Sequence, residues 1–333
     1  MYYKFNSLKI LSILPGFGKV DNAIKHYWDQ IVFELQSKGI VSTYDTSRIK
    51  EVDVLFVNYS NYGFQKRGIP IFWVLKVIYY SKFYKIKLHV FFHELYANSK
   101  NPLHSSYWLH VIQKTLCHIL FYASDCSYCS NSVMFSILKN IKSNTPLFNI
   151  GILSNIPSSN CVLNFHHRDN IAVVFGTSKQ RKLVYKNIVL LKQTCNSLGL
   201  KKIIDIGPKI DQNSILKIDF IEVDEMGVLK IEDISKLMSV SKFGFIHYDY
   251  HLLPKSGIFA SYACNELAVI NFNCDYNGTT DNLNINNELV SAKTFDSFNK
   301  LDAALLARNL KGWYQNNIST KHFNVIFDSL IHF

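Results

Sequence analysis

Short apolar runs recur along the chain, each closed by a turn signal and followed by a stretch with helical spacing. Leu8–Leu14 (LKILSIL) ends on Pro15-Gly16-Phe17-Gly18-Lys19 and leads into an amphipathic pattern from Asp21 to Leu35 that stops near Gly39. Val52–Asn58 and Leu88–Phe92 read as two more buried strands, with a helical stretch over Ile69–Lys87 between them. Ser105–Tyr122 is a long helix pattern, Ser127–Cys129 a short strand, and Ser130-Asn131-Ser132 a cap for a helix through Lys139. Near-continuous apolar strands alternating with helices predict a parallel sheet covered on both faces.

The periodicity is lost over Asn155–Asn170, where Pro, Ser, Asn and His collect, and this stretch reads as an interdomain linker. The alternation then starts afresh. Ile171–Phe175 runs into Gly176-Thr177-Ser178 and a helix through Cys195; Lys202–Ile206, Lys217–Glu222, Lys242–His247 and Ala268–Phe272 read as strands, with a helix over Ile231–Ser239. The end, Phe298–Phe333, reads as two helices. The pattern predicts two α/β domains, each doubly wound, over residues 1–160 and 171–333, and a chain of 333 residues is long enough to give each its own core.

Composition narrows the partners. The net charge of +11 comes from 36 Lys+Arg against 25 Asp+Glu, yet only five of the basic residues are arginines. A lysine excess spread along the chain suits an anionic membrane surface or solvated faces better than nucleic-acid reading, which favours arginine forks, so no nucleic-acid partner is expected. Lys66-Arg67 and Ile69–Lys87 interleave Phe72, Trp73, Tyr79, Tyr80, Phe83 and Tyr84 with Lys76, Lys82, Lys85 and Lys87. That mixture suits a headgroup layer, or else a core helix with a solvated lysine edge. No apolar stretch is long enough to span a bilayer. Seven scattered cysteines and no signal peptide point to the cytoplasm, and Cys126-x-x-Cys129 lacks a second pair and reads as buried thiols.

Candidate chemistry collects at strand ends. Gly16 and Gly18 form either a ligand-facing loop or a tight turn. His93-Glu94 is a polar pair where a strand ends, the edge at which open α/β sheets bind ligands. Gly176 is followed by Lys179, Arg181 and Lys182. Tyr248–Phe272 (YDYHLLPKSGIFASYACNELAVINF) carries Lys255-Ser256-Gly257 between a strand and a helix. Free N–H groups at a helix start, a small residue and a cation together suit a phosphate.

This last stretch resembles the donor-binding segment of GT-B nucleotide-sugar glycosyltransferases, especially the retaining group-1 type of bacterial capsule and O-antigen synthesis. There, two glutamates stand eight positions apart and the second opens a segment like Glu-Ala-Met-Ala-Cys-Gly-Thr-Pro-Val-Val; here Leu253 and Ser261 fill those two positions. The resemblance implies two Rossmann-like domains facing a cleft, an acceptor-side N-terminal domain, and a donor-binding C-terminal domain whose last helix crosses back. It implies that Gly16, Gly18, Gly176, Lys179, Arg181, Lys255, Ser256 and Gly257 hold the nucleotide-sugar donor. His93 and Glu94 then stand near the acceptor hydroxyl or the donor sugar as catalytic residues.

No Asp-x-Asp triplet occurs, so a hexosyl transfer without metal or other cofactor is expected, onto a saccharide or lipid-linked acceptor. The implied place is the cytoplasm, peripheral to the inner membrane, in surface-polysaccharide (capsule or lipopolysaccharide) assembly. A nucleotide-sugar epimerase of the same fold and a non-catalytic sugar-nucleotide- or polysaccharide-binding protein are the rival readings.

Overall fold

The computed structural model describes residues 8–16, 23–97, 101–141, 144–159, 163–210, 221–273, 279–293 and 301–332. The chain divides into two units, one of Met1–Gly151 with Lys321–Phe333 and one of Ile152–Thr320.

Unit 1 runs β1 (Lys9–Ile13), α1 (Ala23–Ser37), β2 (Val41–Thr43), β3 (Val54–Tyr59), the short α2 (Asn61–Phe64), α3 (Ile71–Tyr84), β4 (Lys87–Phe92), α4 (Ser105–Ala123), β5 (Cys126–Cys129), α5 (Ser132–Ile141) and β6 (Leu147–Asn149). All strand pairs are parallel, in the order β2-β1-β3-β4-β5-β6. β3 is buried along its whole length, as a strand covered on both faces must be. The cap read at Ser130–Ser132 is Asn131, whose Oδ1 accepts from Met134 N–H at 2.8 Å.

One face of this sheet is aliphatic, with Leu55, Val57, Val90 and Leu120 in one core cluster. Another part of the interior is aromatic and polar. Trp28 stacks on Phe56 at 4.1 Å between centroids, and the His89 Nδ1 bonds the Tyr128 hydroxyl at 2.9 Å. The last helix completes this layer: the His322 Nε2 bonds the Tyr27 hydroxyl at 2.5 Å, and Ser329 bonds Tyr128. Burial pushes the His322 imidazole down to about 3 and that of His89 to about 4, so both rings are neutral.

Unit 2 runs β7 (Asp169–Phe175), α6 (Ser178–Tyr185), α7 (Ile188–Ser197), β8 (Lys202–Ile206), β9 (Glu222–Gly227), α8 (Ile231–Val240), β10 (Ser241–Ile246), α9 (Gly257–Cys264), β11 (Ala268–Asn271), the small antiparallel pair β12 (Thr279–Thr280) and β13 (Leu283–Asn284), β14 (Leu289–Ser291) and α10 (Ala303–Tyr314). Its sheet is also parallel, in the order β14-β11-β10-β7-β8-β9. From α10 the chain passes through a π-helical turn (Gln315–Ser319) into α11 (Thr320–His332).

Two expectations change and a third lies mostly outside the described residues. The single helix expected after Gly176 is two, because Asn187 breaks it and caps α7 by accepting from Leu190 N–H at 3.1 Å. Of the strand expected at Lys217–Glu222, residues 217–220 lie outside those described, and a strand is described at Glu222–Gly227. The expected linker Asn155–Asn170 contains a 3-10 turn, Phe165–His167, and its end belongs to β7.

Candidate functional site

The unit 2 sheet reverses its winding between β7 and β10. The chain leaves β7 through β8 and β9 on one side, while β10, β11 and β14 lie on the other. Loops leaving the C-terminal ends of two such strands part in opposite directions, and the crevice between them is where open parallel sheets take ligands.

Tyr262 of α9 fills the space beneath that crevice. Its hydroxyl accepts from Phe175 N–H and donates to the Val173 carbonyl, both at 2.9 Å. Burial pushes its phenol well up, so it keeps its proton as a donor. The ring passes over Gly244, where a Cβ would meet ring carbons at 2.7 Å, which explains a glycine inside a buried strand.

Above Tyr262 the two loops touch. Gly176 has φ +132°, and a Cβ there would stand 2.3 Å from Ile258 Cδ1 in the first turn of α9. Gln180 of α6 donates its side-chain amide to the Tyr248 hydroxyl. Tyr248 is fixed in turn by Asn271, which accepts from its N–H at 3.1 Å and donates to its carbonyl at 2.9 Å. Ser256, buried, caps α9 by accepting from Phe259 N–H at 3.2 Å, and it also bonds the Tyr248 phenol.

The space enclosed between Phe175, Gln180, Tyr248 and Ile258 is only about 10 Å³. The first turns of α6 and α9 flank its mouth. Helix N-termini there present N–H groups and a positive dipole end to an anion.

The expected donor residues separate on this frame. Gly176, Ser256 and Gly257 come together, with Gly257 as the first residue of α9; its φ is not positive, and a Cβ there would meet only Asn155 Nδ2 at 3.5 Å, an ordinary contact. Lys179 is exposed on the first turn of α6, and Lys255 closes a 3-10 turn (Tyr250–Lys255) just before Ser256.

Arg181 is a correction. Its guanidinium is 2% exposed, paired with the equally buried Asp205 of β8, and donates through Nε to the Gly176 carbonyl at 3.0 Å and through Nη2 to the Pro208 carbonyl. A cation so committed holds the glycine turn in place and has no fork left for a diphosphate. Leu253 and Ser261, at the two glutamate positions, are fully buried: Leu253 packs in an apolar cluster, and Ser261 donates to the Gly257 carbonyl at 2.7 Å. A carboxylate at either place would be a buried charge.

In unit 1 the reversal lies between β1 and β3. Gly16 follows β1 with open space around it, and Gly18 lies outside the described residues. Pro15 packs against α2 so closely that a Cβ at Gly63 would stand 2.4 Å from its own Cβ.

Beside it, Ser60 after β3 donates to Glu94 Oε2 at 2.9 Å, and Asn61 donates to the Leu95 carbonyl at 2.8 Å. Farther along the same loop, Ala97 N–H donates to the buried Gln113 Oε1 at 2.9 Å. His93 turns inward: its Nε2 donates to Asn58 Oδ1 at 3.0 Å, and its ring stacks on Phe91 with centroids 4.4 Å apart. The expected catalytic pair thus divides into Glu94, half-buried at the strand end, and His93, 7% exposed within the unit.

Sequence reasoning did not pick out Gln180, Tyr248, Asn271 or Tyr262. For Tyr262 a signal existed, a glycine inside an apolar strand that asks for a bulky neighbour. The other three have no local signal.

No protein-family model and no curated protein matches the sequence, but solved structures match over nearly all of it. Anabaena Alr3699/HepE, solved with UDP and glucose, is 11% identical over 98% of this chain and 100% of its own, with TM-score 0.60. WaaG, a glycosyltransferase involved in lipopolysaccharide biosynthesis, is 11% identical over 98% of this chain and 100% of its own, TM-score 0.58. A putative UDP-N-acetylglucosamine 2-epimerase from Listeria monocytogenes is 9% identical over 97% of this chain and 96% of its own, TM-score 0.60. The chain has the GT-B fold.

Proposed function

We propose that the protein is a glycosyltransferase that moves a hexosyl group from a nucleoside diphosphate sugar to a saccharide or lipid-linked acceptor, in bacterial surface-polysaccharide assembly. The observation that carries this reading is the unit 2 crevice, where the Gly176 turn meets the start of α9 and both helix N-termini flank one opening. The fold neighbours HepE and WaaG support it by analogy alone.

Transfer breaks the anomeric C–O bond to the diphosphate and forms one to the acceptor hydroxyl. The bonding pair leaves with the diphosphate, whose growing charge is met by N–H groups of α6 and α9 and by Lys179 and Lys255, without metal. The hydroxyl proton passes to a base, a role for which Glu94, oriented by Ser60, is the candidate. His93 positions the end of β4. The retaining or inverting course follows from where the acceptor lies and is left to product stereochemistry.

The crevice also bears on the epimerase reading, since no carboxylate lines it among the described residues. Epimerisation needs acid and base groups at the sugar.

The acceptor is proposed to be reached at a membrane. α3 exposes Phe72 (88%), Leu75, Tyr79 and Phe83 beside Lys76 and Lys82, and Leu103 (91%), Trp108 (69%) and Val111 are exposed at and before α4. Large exposed apolar groups among lysines fit an anionic headgroup layer. Among the described residues no helix is long and apolar enough to cross a membrane.

The direct test is incubation with UDP- and GDP-sugars, with and without saccharide and lipid-linked acceptors. Transfer or slow donor hydrolysis is expected. A new nucleotide-sugar formed without acceptor would favour the epimerase, and no turnover with intact nucleotide binding would favour a binding protein.

A further inference from the structure

The crevice between β7 and β10 contains a hydroxyl whose neighbours fix the direction of its hydrogen bonds, that of Tyr248. Gln180 turns its Oε1 to the Thr177 hydroxyl at 3.4 Å, which leaves its Nε2 to donate to the Tyr248 oxygen. Ser256, whose Oγ already accepts from Phe259 N–H at 3.2 Å, has its own O–H to give to the same phenol. A phenol has one O–H to donate and lone pairs to accept. An oxygen that takes both of these donors keeps its own proton for a third partner, and Tyr248 lines the crevice.

The residue is also held from behind. Asn271, at the end of β11 and wholly buried, accepts from the Tyr248 N–H at 3.1 Å and donates to its carbonyl at 2.9 Å. A buried amide costs free energy unless its bonds are made, and here they are made to the residue that enters the crevice. Burial pushes the Tyr248 phenol up, so it is protonated near neutral pH. The outcome is a neutral donor fixed in place beside the caps of α6 and α9, Thr177 and Ser256. Donors fixed in advance stabilise a developing anion most, because they need no reorientation.

We propose that the Tyr248 hydroxyl donates a hydrogen bond to a phosphoryl oxygen of the diphosphate, beside the helix N–H groups and the lysines. The assignment rests on the reading of this crevice as a nucleoside diphosphate site. It gives the two bonded side chains different work: Tyr248 touches the ligand, and Gln180 orients Tyr248. The rival reading makes their bond a plain tie between the loops that follow β7 and β10.

Calorimetry of the full chain with UDP and GDP, comparing the parent with Tyr248→Phe and Gln180→Leu, separates the two. Both variants delete the Gln180–Tyr248 hydrogen bond, but only Tyr248→Phe deletes the phenolic donor. Tyr248→Phe should weaken nucleotide binding about tenfold, as loss of a hydrogen bond to a charged group does, and Gln180→Leu by about threefold at most. Pyrophosphate, which has neither base nor sugar, should lose affinity for Tyr248→Phe by the same factor, read from its displacement of the nucleotide. Melting temperatures of the two variants should match, since each loses the same bond and keeps its bulk. Equal binding by the parent and Tyr248→Phe, an equal loss in both variants, or a loss for the nucleotide that pyrophosphate does not share would overturn the assignment alone. A parent that binds neither UDP nor GDP would overturn the crevice reading and the assignment together.

Discussion

The Arg181 guanidinium and the Asp205 carboxylate are paired inside unit 2, each side chain 2% exposed, and from that pair Arg181 reaches back to the Gly176 carbonyl at 3.0 Å. The pair fixes the turn after β7, so the conformation of Gly176 rests on a charge committed inside the unit. Tyr185 adds a bond to the other Asp205 oxygen at 2.7 Å.

Removing one member should therefore cost more than a surface ion pair. Asp205→Ala leaves a buried guanidinium without its counter-charge, and about 3–5 kcal/mol of stability should be lost. Urea unfolding checks this. A loss under about 1 kcal/mol, the worth of an exposed pair, would mean that Arg181 escapes to solvent and is available to a ligand after all.

Gly176→Ala meets two obstacles, a left-handed backbone at φ +132° and the Ile258 side chain at 2.3 Å. Strain of this kind costs on the order of 1–3 kcal/mol. Adding Ile258→Ala removes the contact but not the backbone cost. The double variant should recover part of the melting temperature lost by Gly176→Ala; full recovery would show that φ is not the constraint.

Acid should weaken unit 1. His322 and His89, held down to about 3 and about 4 by burial, are neutral in the fold, whereas unfolded histidine titrates near 6.5. Below about pH 6.5 the unfolded chain takes up protons that the folded one refuses, so stability is complete above that pH and falls as pH drops. Between pH 7 and 5 each ring should cost about 2 kcal/mol. A melting temperature flat over that range would contradict the buried neutral assignment.

For the membrane face, replacing Lys76, Lys82, Lys85 and Lys87 by Gln should weaken sedimentation with anionic vesicles, since each lysine near such a surface contributes on the order of 1 kcal/mol. Phe72→Ser with Trp108→Ser should weaken it further, and both exposed sets should leave the fold unchanged. Undiminished vesicle binding would return this face to an ordinary solvated one.

The central strands of both sheets were legible because burial on both faces leaves them as plain apolar runs, as in β3 and β7. The edges were not. β2, β6 and β14 are three residues each, and β9 reads EVDEMG, too charged and too exposed to look like a strand. The strand-end residues Gly176, Ser256 and Glu94 could be placed because their neighbours in sequence define the turn.

Arg181 could not, because its partner lies 24 residues away on β8, not on its own helix. The available sign was Asp205 itself, a carboxylate in the middle of the apolar run KIIDI, which a buried strand accepts only if the charge is paired. Likewise Tyr248, Gln180 and Asn271 meet only because the chain reverses its winding between β7 and β10.

The central claim is that a nucleoside diphosphate is held at the unit 2 crevice by helix N-termini and lysines, without metal. Calorimetry of the full chain with UDP and GDP in EDTA, beside Lys179→Ala and Lys255→Ala, measures it directly. One nucleotide should bind one-to-one in EDTA, and each variant should weaken it about tenfold or more while melting like the parent. Binding that vanishes on chelation, or affinity unchanged in the combined variant, would contradict the account.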